Sequence, residues 1–316
     1  MKTVSLARNA MATRFEMVLH GDDEPGLRAA GEEALDEISE LSAQLNYYDP
    51  SSEVSRINAG AVLEPMPVEP GLFRLLQEAK RIHELSGGAF DITVAPLMRC
   101  WGFVDGPSCV PDAEELAKAR ECVGMNLVNL EAENFTVQFD RPGVKIDLGA
   151  IGKGFAVEVA AEILREAGVE GALIHGGTSS VCAIGSPLDE DFWITAIEHP
   201  DAYPPAHKTV MATALLRDET FSVSAGWGIK FEEDGFSYGH VMDPRSGRPA
   251  QCALLAAVAL PSGMSSDAWS TALLVAGEAG VAALGQAVVG ARSLMLLSGN
   301  DSVLRLANEG FDLPEE

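Results

Sequence analysis

The chain has 316 residues, enough for one large domain or two modest ones. Its formal net charge of −25 disfavours nucleic acids and anionic membrane surfaces as partners, although plain solubility is a simpler explanation of the charge than an acidic recognition surface. An anionic ligand would need local backbone dipoles and a cation to outweigh this field. We therefore expect a metal ion beside any bound nucleotide.

The cysteine pattern and the apolar segments bound the cellular setting. Five cysteines without a C-x-x-C pair predict reduced and mostly structural thiols. Residues 1–20 lack the charged and apolar regions of a signal peptide, and the longest apolar run, Ala253 to Pro261, is far shorter than the roughly 20 residues of a membrane span. These features predict a cytoplasmic protein with no membrane insertion.

Hydrophobic periodicity predicts an α+β fold with mixed or antiparallel sheets and packed helices. An opening strand alternates at Phe15, Met17 and Leu19. Helices are expected over 25–45, 70–85, 112–122, 153–167 and from near 267, and strands over 135–139, 144–148, 172–175, 192–197, 211–216, 220–225 and 252–260.

Two hairpins and one loop complete the predicted organisation. Strands 135–139 and 144–148 are expected to pair through Asp140-Arg141-Pro142-Gly143, and 293–297 with 303–306 over Gly299-Asn300-Asp301. Pro200 to Pro205 is the best loop candidate. Since no repeat, low-complexity tract or linker is evident, residues 1–316 are predicted to form a single domain.

The segment from Val144 to Phe155 has the layout of a phosphate cradle. A β-type run breaks into glycines and restarts at helical spacing, so freed backbone N–H groups and a helix N-terminus can face an anion. The glycines fit neither a Walker loop nor the dinucleotide fingerprint. A glycine-lined turn with no ligand explains this segment alone equally well.

Further motifs carry a family resemblance that spans nearly the whole chain. In chain order they are Met11-Ala12-Thr13, Tyr48 to Asn58, Gly87 to Leu97 with Trp101-Gly102-Phe103, Asp147 to Gly154, His240 to Gly247, and Ser266 to Ala272. Together they resemble the FAD:protein FMN transferases, the ApbE-type flavinyltransferases. The resemblance implies an α+β flavinyltransferase fold, with FAD as substrate and Mg²⁺ as cofactor.

Asp267 and Thr271 are candidate metal ligands. They are four residues apart at the start of a predicted helix, so their oxygens lie on one face and suit a hard cation such as Mg²⁺. By spacing alone, the simpler interpretation is that Asp267 complements the helix dipole and Thr271 packs. The resemblance implies that both bind the metal, with backbone oxygens from Gly152 and Ser270.

His240 and Asp243 are the candidate catalytic residues. Attack of a hydroxyl on phosphorus needs a nearby base, and imidazole titrates in the useful range. One histidine among six is weak evidence, and it is the match to the family motif that makes His240 the candidate base. Asp243 begins an Asp-Pro turn, so turn capping is its structural alternative.

The resemblance also implies a set of contacts to FAD. Tyr48, Met11, Asp91 and Thr93 are expected near the flavin, although Phe90, Val94 and Leu97 beside them could be ordinary core. Lys153, at a helix N-terminus that disfavours a cation, is explained by a nearby phosphate. The full predicted set is Met11, Tyr48, Asp91, Thr93, Gly149, Lys153, Gly177, Ser224 and His240.

Several positions depart from the family pattern. Thr178 stands where an aspartate is usual, Val223, Ala225 and Gly226 replace parts of a Thr-Ser-Gly-acid element, and Ser246 replaces a threonine. The resemblance implies Mg²⁺-dependent transfer of FMN from FAD to a Thr or Ser hydroxyl of an acceptor flavoprotein, such as an electron-transfer subunit, with release of AMP. FAD hydrolysis to FMN and AMP, and FAD binding without catalysis, are the alternatives.

Overall fold

An eight-stranded antiparallel sheet organises the computed structural model, which describes residues 1–198, 210–226, 228–298 and 304–313. The strands are β1 Lys2–Ala10, β2 Thr13–Gly21, β3 Met66–Pro67, β4 Val128–Glu131, β5 Thr136–Phe139, β6 Gly171–Gly176, β7 Ser180–Ile184, β8 Trp193–Glu198, β9 Val210–Leu216, β10 Thr220–Ala225, β11 Lys230–Glu233, β12 Phe236–Gly239, β13 Met242–Asp243, β14 Arg248–Pro249, β15 Ala253–Leu260, β16 Arg292–Ser298 and β17 Leu304–Glu309. The main sheet runs β1-β2-β6-β7-β10-β15-β16-β17.

Most of the helices pack on one face of this sheet. The helices are α1 Glu24–Gln44, α2 Glu53–Gly60, α3 Pro70–Leu85, α4 Ala95–Cys100, α5 Ala113–Arg120, α6 Gly152–Glu166, α7 Gly263–Ala276 and α8 Glu278–Ala287. Helix α6 packs against both α1 and α7. Since antiparallel sheets combine with packed helices, the predicted α+β class is confirmed. Within the described residues, no helix is both long and apolar enough to cross a membrane.

Alternation along the strands gives the main sheet two apolar faces. Phe15, Met17 and Leu19 of β2 pack with the helices in one cluster. On the opposite face, the antiparallel ribbon of β8 and β9 contributes Trp193 and Ile197 to a second cluster. Part of this second face stays open toward a cavity, and that opening forms the candidate site.

The hairpin predicted for residues 135–139 and 144–148 is wrong. Strand β5 pairs instead with β4 and β3. The segment 144–148 has buried, alternating Val144, Ile146 and Leu148, but its hydrogen bonds are not those of a ladder. The Asn58 amide donates to the Ile146 carbonyl and accepts from the Ile146 N–H, both at 2.8 Å. The apolar alternation in residues 144–148 therefore predicted their burial correctly and their strand pairing incorrectly.

Helix α7 begins earlier than predicted. Ser262 caps it by accepting a hydrogen bond from the Ser265 N–H at 3.3 Å, so the helix starts at Gly263 rather than near Asp267. Asp267 thus lies in the second turn and is 3% exposed, where a simple dipole role does not apply. The small residues that precede Asp267 concealed this start in the sequence.

The predicted opening strand is the second half of a hairpin, since β1 pairs with β2 through Met11 and Ala12. Helix α2 and strand β7 had no sequence signal that we recognised. Strands β16 and β17 form the predicted closing hairpin, whereas its turn, residues 299–303, and the loop candidate 200–205 lie outside the described residues.

Candidate active site

A cavity of about 970 Å³ opens between the second face of the main sheet, strand β8, and the loops near residues 90, 150 and 240. The predicted site residues that line it are Tyr48, Asp91, Gly149, Lys153, Gly177, Ser224, His240, Asp267 and Thr271. Those that do not line it are Met11, Thr93, Gly152, Ser270 and Asp243. The structure thus brings together residues that lie more than 200 positions apart in the sequence.

Helices α6 and α7 begin side by side at this cavity because glycines let their backbones meet. A Cβ added to Gly154 would lie 2.1 Å from the Gly263 carbonyl oxygen, and a Cβ on Gly263 would lie 2.3 Å from the Gly154 oxygen. The approach allows the Asp267 carboxylate to accept the Gly154 N–H at 2.8 Å. Gly154 is therefore explained by helix packing, an alternative to the phosphate cradle predicted from sequence.

Burial raises the pKa of the Asp267 carboxyl, and the Lys153 charge with the backbone amides of Gly154 and Lys153 partly offsets that effect. The residue belongs to the α6–α7 contact, yet it also lines the cavity. A buried carboxylate with little neutralising charge favours a cation partner. The electrostatic setting of Asp267 is consistent with the predicted metal role.

A chain of hydroxyl groups joins α7 to β10. Ser270 Oγ donates to the Asp267 carbonyl at 2.8 Å, and Ser224 Oγ lies 2.7 Å from Ser270 Oγ and 2.9 Å from Thr271 Oγ1. Because the Ser270 proton is used, Ser224 can donate to Ser270 while accepting from Thr271. That order leaves the lone pairs of Thr271 Oγ1 free to accept. The Ser270 hydroxyl therefore bonds to its neighbours, and metal binding by the Ser270 backbone oxygen stays a prediction.

The donor set fits a hard cation. Among the described residues there is no cluster of three His, Cys, Asp or Glu side chains able to hold a metal. Asp267 and Thr271 nevertheless supply a carboxylate and a hydroxyl oxygen to one cavity, and Mg²⁺ commonly takes one or two carboxylates with the rest of its shell from other oxygens. The residues present fit Mg²⁺ better than a soft metal.

His240 follows strand β12 and is half-buried at the cavity wall. Its backbone N–H donates to the Ile229 carbonyl at 3.0 Å, and its ring Nδ1 lies 3.2 Å from the same oxygen. Since a carbonyl only accepts, Nδ1 carries the proton and the neutral ring keeps Nε2 free as an acceptor. Burial lowers the pKa of His240, and nearby Lys153 lowers it further while the bond to Ile229 opposes them. The ring is therefore neutral at neutral pH.

Asp243 lies in the predicted Asp-Pro turn, outside the cavity. Its carboxylate accepts hydrogen bonds from Arg245 Nε at 2.8 Å and from the Arg245 backbone N–H at 3.0 Å. Gly247 N–H closes the turn on the Asp243 carbonyl at 2.8 Å. These contacts occupy Asp243 in the turn, the structural alternative considered above, and its catalytic role stays a prediction.

Asp91 and Thr93 form one buried unit. Asp91 Oδ1 accepts from the Thr93 N–H at 2.7 Å and from Thr93 Oγ1 at 2.5 Å, and Thr93 Oγ1 in turn accepts the Gly124 N–H at 2.7 Å. His83 Nδ1 lies 3.1 Å from Asp91 Oδ2. Burial lowers the pKa of His83, but the Asp91 carboxylate, with the Phe90 carbonyl and Glu84, outweighs this and raises it on balance. Asp91 lines the cavity, while Thr93 fixes its orientation from behind.

Apolar side chains wall the cavity beside Asp91. They belong to Val94, Met98 and Phe103, with Tyr48 at the rim and 68% exposed, whereas Phe90 is 1% exposed and packs in the helix-side apolar cluster, as its core alternative predicted. Met11 instead sits in the β1–β2 turn at φ 48°, with its N–H on Ser42 Oγ at 2.9 Å. This wall suits a planar ring, and whether Met11 reaches a ligand stays a prediction.

Acidic groups outnumber basic ones around the cavity. Its lining includes the carboxylates of Glu16, Asp91, Asp147, Glu198 and Asp267, against the single ammonium of Lys153 among the described lining residues. Burial also raises the pKa of Asp147. A dinucleotide carrying a pyrophosphate would meet net repulsion here unless a cation accompanied it.

Sequence reasoning missed several lining residues, among them Asp147, His175 and Thr195. Asp147 opens a recognised motif but received no role, and its Oδ1 accepts the Gly149 N–H at 2.8 Å in an Asx-type turn that the Asp-x-Gly spacing could have suggested. His175 and Thr195 lie on strands whose alternation gave no sign of a site. Among the departures, Thr178, Val223 and Ala225 line the cavity.

This fold and cavity fit a flavinyltransferase, and comparison with known proteins supports the same class. The model of the ApbE family matches residues 11–292. The chain is 31% identical over 287 residues to the FAD:protein FMN transferase of Haemophilus influenzae, covering 88% of this chain and 82% of that protein. The corresponding Vibrio cholerae enzyme is 32% identical over 282 residues, covering 87% and 81%.

Solved structures show the same fold. The ApbE protein of Thermotoga maritima superposes with a TM-score of 0.84 at 27% identity, covering 98% of this chain and 97% of that chain. The flavin transferase ApbE of Vibrio cholerae gives a TM-score of 0.83 at 28% identity with the same coverage, 98% and 97%. This chain belongs to the ApbE family. The family and transferase class predicted from the motifs are thereby confirmed.

We predict that Gly154→Ala destabilises the protein by about 1–3 kcal/mol, the usual cost of overpacking, because the new Cβ meets a backbone oxygen that cannot rotate away. This outweighs the roughly 1 kcal/mol by which alanine is preferred to glycine inside a helix. Chemical denaturation followed by circular dichroism measures the change.

Gly285→Ala is the matched control. Gly285 lies in helix α8 and its added Cβ would meet no atom within 4 Å. It should stabilise the protein by up to about 1 kcal/mol through helix propensity alone. Equal effects of the two substitutions would contradict the proposed close contact between α6 and α7.

Proposed function

We propose that this protein transfers FMN from FAD to a Thr or Ser hydroxyl of an acceptor flavoprotein, such as an electron-transfer subunit, in an Mg²⁺-dependent reaction that releases AMP. One observation carries the proposal: Lys153, Asp267, Thr271 and His240 line a single cavity. The curated relatives are named FAD:protein FMN transferases, which supports flavin transfer by this chain.

The α6–α7 end of the cavity is proposed to bind the pyrophosphate of FAD. Lys153 lies in the first turn of α6, where its ammonium and the helix N-terminus both favour an anion. Mg²⁺ bound by Asp267, Thr271 and backbone oxygens of Gly152 and Ser270 would offset charge on the phosphates. The chain's own contribution is to hold these groups in fixed positions.

His240 is proposed to act as the general base. Its free Nε2 accepts the proton of the acceptor hydroxyl as the hydroxyl oxygen attacks the FMN phosphorus. The bond from that phosphorus to the bridging oxygen breaks, and AMP leaves with the bridging oxygen. The lowered pKa of His240 keeps the imidazole neutral and able to accept.

The flavin is proposed to occupy the apolar end of the cavity. Val94, Met98 and Phe103 offer flat or flexible surface to the ring system, and Asp91 offers a buried, fixed oxygen. Cavity residues come from Glu16 through to Thr271, which supports the proposal that residues 1–316 work as one catalytic domain.

Two alternatives are distinguished by the products. With water in place of the acceptor hydroxyl, the protein would hydrolyse FAD, and with neither nucleophile activated it would only bind FAD. Retention of Asp267, Thr271 and His240 favours catalysis, whereas Thr178 and Gly226 depart from the family pattern and favour the binder.

Incubation with FAD and Mg²⁺, with and without an acceptor flavoprotein domain, tests the proposal. We expect AMP together with a covalently flavinylated acceptor, detected by mass spectrometry, and loss of both with EDTA. AMP formed equally without acceptor would indicate a hydrolase. FAD binding by calorimetry with no AMP under any condition would indicate a binder.

We predict that Asp267→Asn abolishes both activity and the response of the protein to Mg²⁺. At about 100 times its dissociation constant, Mg²⁺ should stabilise the wild type by about 2.7 kcal/mol and should not stabilise the variant. Asparagine keeps an oxygen for the Gly154 N–H, so the fold should survive. Thermal melts with and without Mg²⁺ measure this alongside AMP release.

The Asp267→Asn variant measured without Mg²⁺ provides the control. Because burial raises the Asp267 pKa in the folded state, the ionised carboxylate opposes folding once pH exceeds its ordinary pKa of about 3.9, fully so above the raised value. Asparagine removes this cost, so the variant without metal should melt no lower than the wild type at neutral pH. An undiminished Mg²⁺ response in the variant would exclude Asp267 as a ligand.

We predict that His240→Ala lowers turnover by about 10²–10⁴-fold with little change in FAD affinity. In the wild type, activity should rise with pH through a limb below the ordinary His pKa of about 6.5, since burial lowers the pKa of His240. Single-turnover AMP release at saturating FAD, from about pH 5 to about pH 9, measures the limb.

A second histidine makes the assignment testable. Burial also lowers the pKa of His175, which lines the same cavity. The limb belongs to His240 only if it disappears in His240→Ala and persists in a His175 variant. A wild-type rate in His240→Ala would transfer the base role to another residue, with Asp243 the next candidate.

A further inference from the structure

His83 stands behind one wall of the cavity and has no role in the chemistry proposed above. It lies in the last turn of α3 with 21% of its side chain exposed, and it does not line the cavity. Its ring contacts the segment of residues 86–98, whose Val94 and Met98 do line the cavity. We call this segment the flavin-side wall.

The proton on His83 Nδ1 is used by the backbone. Nδ1 lies 3.0 Å from the Phe90 carbonyl oxygen and 3.1 Å from Asp91 Oδ2. Since a carbonyl can only accept, Nδ1 carries a proton in the neutral ring as well as in the charged one. Asp91 Oδ2 has no hydrogen-bond donor among the described residues. What His83 supplies to Asp91 is therefore positive charge, and only the protonated ring has it.

The Asp91 carboxylate needs a compensating charge. Its side chain is 1% exposed, and its other oxygen, Oδ1, already accepts from the Thr93 N–H at 2.7 Å and from Thr93 Oγ1 at 2.5 Å. A carboxylate buried without a cation is costly, and removing the partner of a buried ion pair leaves that cost uncompensated. A neutral His83 therefore leaves Asp91 in an unfavourable state.

The surroundings of His83 favour its protonated form. Burial lowers the pKa of His83, but the Asp91 carboxylate, with the Phe90 carbonyl and Glu84 on the same helix, raises it on balance. The last turn of a helix also favours a cation through the helix dipole. An imidazolium beside Asp91 is thus the stable arrangement at neutral and lower pH.

Arg245 approaches the same place from the turn after β13. A Cβ added to Gly88 would lie 3.6 Å from His83 Cε1 and 3.7 Å from Arg245 Cγ. The Arg245 guanidinium, however, donates to Asp243 at 2.8 Å, so its charge is already paired. Arg245 is therefore not the cation that compensates Asp91.

The Asp91 carboxylate in turn fixes the flavin-side wall. It orients Thr93, whose Oγ1 also accepts the Gly124 N–H at 2.7 Å. Val94 follows Thr93 directly, and its carbonyl accepts the Met98 N–H at 3.0 Å. A displacement of Asp91 would therefore move Val94 and Met98, the side chains that the wall presents to the cavity.

We propose that His83 is a positioning residue for flavin binding, whose imidazolium holds Asp91, and through it the flavin-side wall, in the conformation that binds the ring system. The inference rests on the proposed function, because the flavin end of the cavity is part of that proposal. Since the pKa of His83 is raised, its support is complete below the ordinary His pKa of about 6.5 and is lost as pH rises through the raised value. Flavin affinity should therefore fall toward alkaline pH.

Riboflavin is the probe, because it has the ring system without a phosphate and so reports on the flavin end alone. Fluorescence titrations from about pH 6 to about pH 9 cover the titration of His83. The wild type should lose about 3- to 10-fold in affinity over this range, since a wall that is competent only part of the time lowers the apparent affinity by that fraction. His83→Gln should bind weakly throughout, with no dependence on pH.

Two variants separate charge from other effects. Lysine stays protonated over this range because its ordinary pKa is about 10.4, so His83→Lys should keep the tight affinity even at the alkaline end. His20→Gln is the matched control. His20 lies outside the cavity beside Thr3, and burial lowers its pKa, so its loss should leave the wild-type pH dependence intact.

Thermal melts of each variant distinguish positioning from stability alone. A purely structural His83 would lower the melting temperature of His83→Gln but leave the riboflavin affinity of the folded protein, and its pH dependence, as in the wild type. That result would overturn the positioning role. If His83→Gln fails to fold, the comparison of His83→Lys with the wild type at alkaline pH decides the question.

Three further results would also overturn the positioning role: a wild-type affinity independent of pH, a His83→Lys variant that loses affinity at alkaline pH as the wild type does, and no riboflavin binding at any pH. The proposed function fails separately. A protein that shows the His83 dependence yet never releases AMP from FAD keeps the positioning role and loses the transferase. Normal flavinylation with pH-independent riboflavin affinity gives the opposite result.

Discussion

The hydrogen bond from the Gly154 N–H to the Asp267 carboxylate is the contact on which the candidate site depends. It exists only because Gly154 and Gly263 let two helix backbones approach closer than any side chain would allow. The contact fixes the start of α6 against the second turn of α7. Lys153 then flanks the carboxylate, and Thr271 follows one turn later on the same helix face. Residues from two separate motifs, Asp147 to Gly154 and Ser266 to Ala272, are thereby brought together in one site.

The charges around the Asp267 carboxylate explain why this contact matters for ligand binding. Asp267 is buried in a chain of net charge −25, and the cavity lining is mostly acidic where it is charged. An anionic substrate and the buried Asp267 carboxylate would repel each other, and burial by itself disfavours the charged carboxylate. One cation between the two anions would offset both the repulsion and the cost of burial. Under the proposed function, binding of a pyrophosphate at this place and binding of a metal would therefore be linked events. The acidity that first suggested a metal from composition acts locally as well as globally.

The sequence predicted the participants better than their arrangement. Periodicity was sufficient for α6 and for most strands of the main sheet, because burial on one face imposes the spacing directly. It misassigned 144–148, since buried alternation is the same whether hydrogen bonds come from a strand or from the Asn58 side chain. The motifs named Lys153, His240, Asp267 and Thr271, which line one cavity, whereas the role of Gly154 depended on a contact with a helix more than 100 residues away.

The same limit applies to individual side chains. The resemblance associates Thr93 with the flavin and the Ser270 backbone oxygen with the metal. The hydroxyls of both residues bond inside the protein, where Thr93 orients Asp91 and Ser270 contacts Ser224 from outside the cavity. Conversely, Thr195, whose buried hydroxyl has no hydrogen-bond partner among the described residues, has no sequence signature, because an unpaired hydroxyl is defined by what surrounds it. Spacing along the chain reports neighbours on one element. It does not report which neighbour from another element completes a hydrogen bond.

His240, the proposed base, is held in place separately from Asp267 and Thr271, the proposed metal ligands. His240 contacts the Ile229 carbonyl next to the antiparallel ribbon of β11 and β12. Phe231 and Tyr238 of this ribbon pack on Trp101, and the ring centroids of Tyr238 and Trp101 are 5.3 Å apart. Trp101 Nε1 also donates to the Gly247 carbonyl at 2.9 Å, which fixes the Asp243 turn to the same anchor. The ribbon therefore sets the position of His240, and the contact between α6 and α7 sets the positions of Lys153 and Asp267. The proposed catalysis by positioning would require both supports, because neither group reaches the other through a direct bond.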